Sequence, residues 1–518
     1  MDIYAEQALA EYNNEANVIR QGGINGKNFW NLHSSQFIYA PAFYFPDIPG
    51  ANSFEFVATD STAQTHSFTS NCSYANLSPI WKDIPVGMVE LKVYATHGIT
   101  GVRYLAGART FYKAPPFPGR EALPPKASPY SEAALKAFRY AFNSSESQYW
   151  LHHGKPDPDY YHNVYPSKMI SSLVKAMIAY AELEPEMAES AIKLAVNAAD
   201  YLLSITYGKD TAVEGLPPTY SFEGLNKKIV DATAPMADKR QGTIMLIYPA
   251  DVGVMYLELE KATGNKKYFD AAQKIAEYYK ENVLPNGSWY LLVHTDTNKS
   301  DSDNCCCTFS ILNFLSAYHK RTNDECYHAL EKNFFEYINK TRLETFNWEG
   351  QFEDINLSSN FTNLTHFIAG DYVEYISNNF DKNQDKLETA KELMRFIEDQ
   401  FVVWGKFAPW RKFAKPDDVW YSPAALEQYD WCVPIDSSTA KVLDDFLCIY
   451  KITGDKLLLE KACALGDSIT RRQNPKNGVI PTHWMKADCA ENLENFWINC
   501  HIYSAFTLLK LAKMTGEL

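Results

Sequence analysis

A tight polar turn recurs along this chain in nearly constant wording: KATGNKKYFD at 261–270, KRTNDECYHA at 320–329, YKITGDKLLLE at 450–460 and KMTGEL at the end. Apolar, helix-like runs precede these turns and, except at the end, amphipathic ones follow. From about residue 131 the chain therefore reads as one two-helix unit repeated six times. A single unit cannot bury its apolar face alone, whereas stacked copies can, and this restricts the fold to a helical array. Without such a repeat, 518 residues would divide into two or three ordinary domains.

Apolar spacing places twelve helices near 131–145, 166–183, 186–206, 250–263, 266–282, 305–321, 324–341, 370–379, 384–401, 437–453, 455–473 and 495–514. Even-numbered members, such as VGVMYLEL, FSILNFLSAY and VLDDFLCIYK, are apolar nearly all round, as inner helices are. Odd-numbered ones, such as KKYFDAAQKIAEYYKENV, have a charged face and belong outside. The alternation predicts a mainly α protein, an (α/α)6 toroid over 131–518. Its long loops, about 146–165, 207–249, 283–304, 342–369, 402–436 and 474–494, gather at one rim with the inner-helix N-termini. Those termini add partial positive charge suited to an anionic ligand group.

Residues 1–113 differ. Short β-rich runs such as SQFIYAPAFYF, NSFEFVATD, VGMVELKVYATH and ARTFYKA, separated by Gly, Pro, Asn and Asp, predict a small N-terminal antiparallel β-sandwich. Segment 114–130 holds six Pro in seventeen residues and is the expected linker. A net charge of −14, from 63 acidic against 49 basic residues, argues against nucleic acid or an anionic membrane surface as the main partner. No stretch approaches the roughly 20 apolar residues a bilayer crossing needs. The start, MDIYAEQALAEYNNEA, lacks the basic and apolar regions of a signal peptide. The expectation is a cytoplasmic protein or the mature form of an exported one. The ten Cys, three of them consecutive at 305–307, suggest no disulfide framework.

All nine Trp beyond residue 131, at 150, 289, 348, 404, 410, 420, 431, 484 and 497, fall in the long segments leading into a helix pair. Indoles interleaved with carboxylates suit a sugar, whose C–H faces stack on aromatic rings while its hydroxyls take polar partners. Glycoside cleavage needs a proton donor for the leaving oxygen and a second carboxylate. Glu427, beside Tyr429, Asp430 and Trp431, is the expected general acid, its pKa raised by apolar neighbours. Asp436, Asp251 and Asp296 are the candidate partners, although the first two also suit helix-terminus positions. His152, Asp159, Tyr161 and His162 form a predicted substrate wall, joined by Trp289, Trp410, Tyr429, Trp431, His483 and Trp484. The HisHis pair at 152–153 lacks the spacing of zinc ligands, and Cys305, Cys306 and Cys307 read as buried small residues, so no metal or cofactor is expected. Arg240, Lys406, Arg411, Lys412 and Lys486 are cationic groups able to hold a carboxylate.

In its twelve helices, leading β-domain and phrases such as FYKAPPFPG, YPADVG and SPAALEQYDWCVPIDSS, the chain resembles the (α/α)6-toroid carbohydrate-active enzymes. These include the unsaturated glucuronyl hydrolases, related polysaccharide lyases and, most closely, the β-glucuronidases of glycoside hydrolase family 154. The resemblance implies hydrolytic removal of a terminal uronic acid, with β-glucuronic acid the expected sugar, from a plant or host glycan in the bacterial periplasm or at the cell surface. Two other readings stay open at this point: a polysaccharide lyase or uronate epimerase on the same fold, and a non-catalytic glycan-binding protein.

Overall fold

In the computed structural model the described residues are 2–17, 33–226, 235–357, 363–405, 421–484 and 495–518. The repeated turn explains itself. In TGN and TGD, Thr263 and Thr453 hydroxyls donate back to the Leu259 and Ile449 carbonyls. Gly264 and Gly454 then take left-handed φ values of 69° and 71° and close the helix. Asn265 and Asp455 accept from the backbone N–H of Lys267 and Leu457, capping the next helix. In the copy at 320–329 Asn323 supplies the left-handed residue, φ 56°.

Inner helices span Pro166–Leu183, Tyr248–Thr263, Ser310–Thr322, Phe367–Asn378, Asp436–Thr453 and Ile498–Thr515. Outer helices span Tyr130–Asn143, Ala188–Ser204, Lys266–Glu281, Cys326–Ile338, Gln384–Phe401 and Lys456–Arg472. The first inner helix packs on the second, the second on the third, the fourth on the fifth, the fifth on the sixth and the sixth on the first, and Tyr130–Asn143 backs the sixth. The third meets the end of the fourth through the Ser316 hydroxyl, which donates to Asn379 at 3.1 Å. All twelve expected helices are therefore present, with ends displaced by a few residues. Gly370 leaves room for Asp445 of the adjacent inner helix, and a Cβ there would collide with its carboxyl.

The N-terminal unit departs from the predicted sandwich. Strands β1 (Gln36–Phe37), β2 (Ala42–Tyr44), β3 (Ala51–Thr59), β4 (Thr65–Ser70), β5 (Tyr74–Asn76), β6 (Gly87–His97) and β7 (Arg103–Lys113) form one five-stranded sheet, ordered β1-β7-β6-β3-β4, and a β2-β5 ribbon. The β1–β7 pairing is parallel. The apolar face of this single sheet, with Phe56, Val89, Leu91, Val93 and Phe111, is covered by Phe43, Leu77, Ile80 and Trp81 and not by an equal second sheet. The unit is fastened to the toroid by buried Asp399, whose carboxylate accepts from the Ile38 and Tyr39 N–H groups at 2.6 and 2.7 Å. Arg120, in the Pro-rich segment, makes a two-pronged contact with Asp467, 2.7 and 3.0 Å.

Candidate active site

Inside the ring, a cavity of about 320 Å³ receives side chains from the N-terminal turns of all six inner helices. Its wall includes Lys168, Lys175, Tyr248, Asp251, Ser310, Asp371, Glu374, Lys441, Cys500 and Tyr503. A second cavity of about 320 Å³ lies against it toward the loops, bounded by Asp354, Ile355, Trp431, His483, Asn495 and Trp497. Lys168, Phe352, Glu427 and Cys500 border both, so they mark the junction.

Backbone pairing fixes Glu427 there. Its N–H donates to the Val433 carbonyl at 3.0 Å and its carbonyl accepts from the Thr365 hydroxyl at 3.1 Å. The flanking residues Leu426 and Gln428 pair with Pro434 and Thr365. With the protein closing round it, loss of water pushes the Glu427 carboxyl up to about 8, aided by the nearby charge of Asp354 and opposed by Lys168. Asp354 is exposed at the mouth of the outer cavity, and the surrounding protein together with the charge of buried Glu353 raises it to about 6. Two carboxyls with separated pKa values share one opening, the arrangement that lets one be acid and the other base near neutrality.

The wall bearing Asp354 is tied down by a buried cluster. Glu353 is fully buried; Lys168 meets one of its oxygens at 2.5 Å and the Tyr248 hydroxyl donates to the other. Lys168 also lies 4.6 Å above the Trp497 ring. Arg240, predicted to hold substrate, instead donates to the Tyr220 hydroxyl (3.1 Å) and to the carbonyls of Phe352 (3.3 Å), Glu353 (2.8 Å) and Ile355. Its two terminal nitrogens are engaged by the Tyr220 hydroxyl and three loop carbonyls, so it braces the wall. Deeper in the ring, Lys441 is buried among Glu374 (2.8 Å), Asp371 (3.4 Å) and Asp445 (3.4 Å). That lysine keeps Glu374 below the usual carboxylate range, while burial lifts Asp371 to about 6 and Asp445 to about 8.

The other predicted residues divide. Asp251 lines the inner cavity, raised by burial, and Trp431 and His483 line the outer one. Asp436 does not reach either: it is fully buried under the junction, accepting from Ser437 N–H at 2.7 Å and Ser504 Oγ at 3.4 Å. Asp296 is exposed in the turn after the Leu292–His294 strand, away from both cavities. His152 is exposed at the end of a helix, and Asp159 is an exposed loop residue contacted by Asn226 at 3.4 Å. Tyr161 borders the opening through Asn495, whose amide oxygen accepts from its hydroxyl. His162 is buried behind the wall, its ring 3.7 Å from that of Trp497. Tyr429 points toward the N-terminal unit, bonded to Ser34 (2.7 Å) and Gln400, and not toward the cavity.

The expected rim of indoles is also corrected. Trp150, Trp289, Trp348, Trp404 and Trp484 are buried; Trp289 and Trp484 donate to the Tyr279 and Pro481 carbonyls at 2.8 and 3.0 Å. They staple the bases of the long loops to the helix pairs, because a large apolar ring with one donor suits that buried position. Among the described residues only Trp431 and Trp497 face the opening. Trp410, Arg411, Lys406, Lys412, Trp420 and Lys486 lie outside the described residues. Cys305, Cys306 and Cys307 are buried, as expected, and burial pushes the first two thiols up. Among the described residues no group of three or more His, Cys, Asp or Glu is placed to hold a metal. Lys168, Phe352, Asp354, Asp371, Glu374 and Lys441 escaped the sequence reading. The acid pair following Phe352 in QFEDIN was the available signal for Asp354.

Fold and cavity together define an α/α toroid with an axial, carboxylate-rich pocket. No protein-family model matches the sequence and no curated protein is similar to it. Solved structures share the architecture. A D-mannose isomerase matches with a TM-score of 0.50 at 13% identity, over 74% of this chain and 97% of that one. A family 76 glycoside hydrolase from a bovine Bacteroides thetaiotaomicron strain matches at 0.48 and 10%, over 91% of this chain and 96% of that one. An unsaturated glucuronyl hydrolase from Streptococcus agalactiae matches at 0.48 and 12%, over 74% and 91%. At these identities the likeness concerns the fold.

Proposed function

We propose that the protein is a glycoside hydrolase that removes a terminal uronic acid, with β-glucuronic acid the expected sugar, from an oligo- or polysaccharide. The carrying observation is Glu427, a carboxyl held protonated near neutrality at the junction of two cavities. In this reading the terminal ring occupies the inner cavity and the rest of the glycan leaves through the outer one, against Trp431 and Trp497. Glu427 gives its proton to the bridging oxygen, and Asp354, ionised above about pH 6, is the partner carboxylate. Each cavity is at the small end of the ~300–1,000 Å³ of ligand pockets, which suits one ring per cavity.

Hydrolysis is preferred to lyase or epimerase chemistry because burial holds the cavity tyrosines, Tyr248 and Tyr503, well above their ordinary value, so that neither is present as a phenolate near neutrality. A location in the periplasm or at the cell surface belongs to the same proposal and is tested by fractionation of the source cells. The activity is tested with aryl β-glucuronide and β-galacturonide, alongside ultraviolet absorbance for an unsaturated product. Release of the aryl group without new absorbance, lost in Glu427→Gln, supports the reading. A C=C chromophore in the product, or full turnover by Glu427→Gln, refutes it.

A further inference from the structure

The inner-cavity lining from two helices shows how its depth is graded. Lys168, Ser171, Ser172 and Lys175 form a stripe down the first inner helix, and Phe367, Asp371 and Glu374 a stripe down the fourth. Lys175 lies two helical turns below Lys168, about 10 Å along the axis, so it belongs to the floor. The other two lysines on this wall are committed: Lys168 to Glu353, and Lys441 to Glu374, Asp371 and Asp445. Lys175 is half-buried and makes no hydrogen bond or ion pair with any described residue, although its charge is felt by Asp251, Glu258 and Glu374. Lys441 is engaged by Glu374, Asp371 and Asp445, and burial opposes ionisation of Asp251, so Lys175 is the lysine of the described lining whose three donors are unassigned.

Resting on the hydrolase reading above, we propose that Lys175 is the specificity residue of the inner cavity: the terminal sugar enters with its carboxylate toward the floor and meets the Lys175 ammonium. Uronates are thereby favoured over the matching neutral pyranoses, whose hydroxymethyl group forms no charge-assisted bond there. The reacting bond stays at Glu427, at the upper end of the same cavity.

The test compares wild type with Lys175→Gln on 4-nitrophenyl β-glucuronide and β-glucoside, and measures binding of free glucuronate and glucose by calorimetry. Expected for the variant is a loss of about 10–100-fold in kcat/KM on the uronide, carried by KM, with a distinctly smaller loss on the glucoside. Glucuronate affinity should fall by a similar factor and glucose affinity stay unchanged. Wild type should bind glucuronate more tightly than glucose, a readout independent of the variant's folding. Equal losses on both substrates, undiminished uronide preference, or wild-type affinities that do not favour glucuronate overturn the assignment. Selective glucuronate binding lost in Lys175→Gln, with no turnover by wild type, keeps the assignment and refutes the hydrolase reading instead.

Discussion

Glu427→Gln should inactivate the protein and stabilise it. In the folded protein this carboxyl stays protonated to about pH 8, against an ordinary value of 4.5. The unfolded chain, by contrast, ionises it above 4.5. The raised pKa therefore contributes stability that is fully present below about 4.5 and is lost as pH climbs toward 8. At about 1.36 kcal/mol per pH unit, the loss by pH 7 is at most about 3 kcal/mol. Glutamine keeps the size and has no proton to lose, so this pH-dependent part vanishes. Thermal unfolding of both proteins between pH 5 and 8.5 measures it: the variant should match wild type near pH 5 and melt a few degrees higher by pH 8. A Tm difference that does not grow with pH, or that reverses sign, would show that Glu427 is ionised in the folded state and would remove the physical basis for its role as acid.

Asp354 must be ionised and Glu427 protonated, so kcat/KM should rise through about pH 6, fall through about pH 8 and peak near 7; Asp354→Asn should lose the acid limb and at least about 100-fold in kcat. Arg240→Ala leaves three loop carbonyls without their shared donor and should cost about 3 kcal/mol in urea denaturation, with activity falling in step. A rise in KM for uronides at unchanged stability would instead restore Arg240 as a substrate ligand. Trp431, 40% exposed beside the outer cavity, should on conversion to Ala raise KM for oligosaccharides about tenfold and change stability by less than about 0.5 kcal/mol.

Much of this was legible in the chain. Thr-Gly-Asn and Thr-Gly-Asp spell out a back-bonded hydroxyl, a left-handed closing residue and a cap, all local chemistry, and they mark helix ends without any tertiary knowledge. Glu427 stood out because its neighbours are aromatic. Asp354 did not, since its importance comes from sharing a cavity mouth with a residue more than seventy positions later.

The limits are equally physical. Trp289, Trp484 and Trp431 all lie in long loops of the repeat, yet two are packed into the core and one faces the opening. Arg240 carries the same fork whether it grips a sugar or a loop, and Asp436 the same carboxyl whether it faces a cavity or lies beneath it. Sequence alone determined periodicity, turns and therefore a ring of helix pairs, because those depend on residues a few positions apart. Which acids are protonated, which cations are already paired and which indoles meet a ligand was decided by the closed ring, because desolvation and donor saturation exist only once distant segments touch.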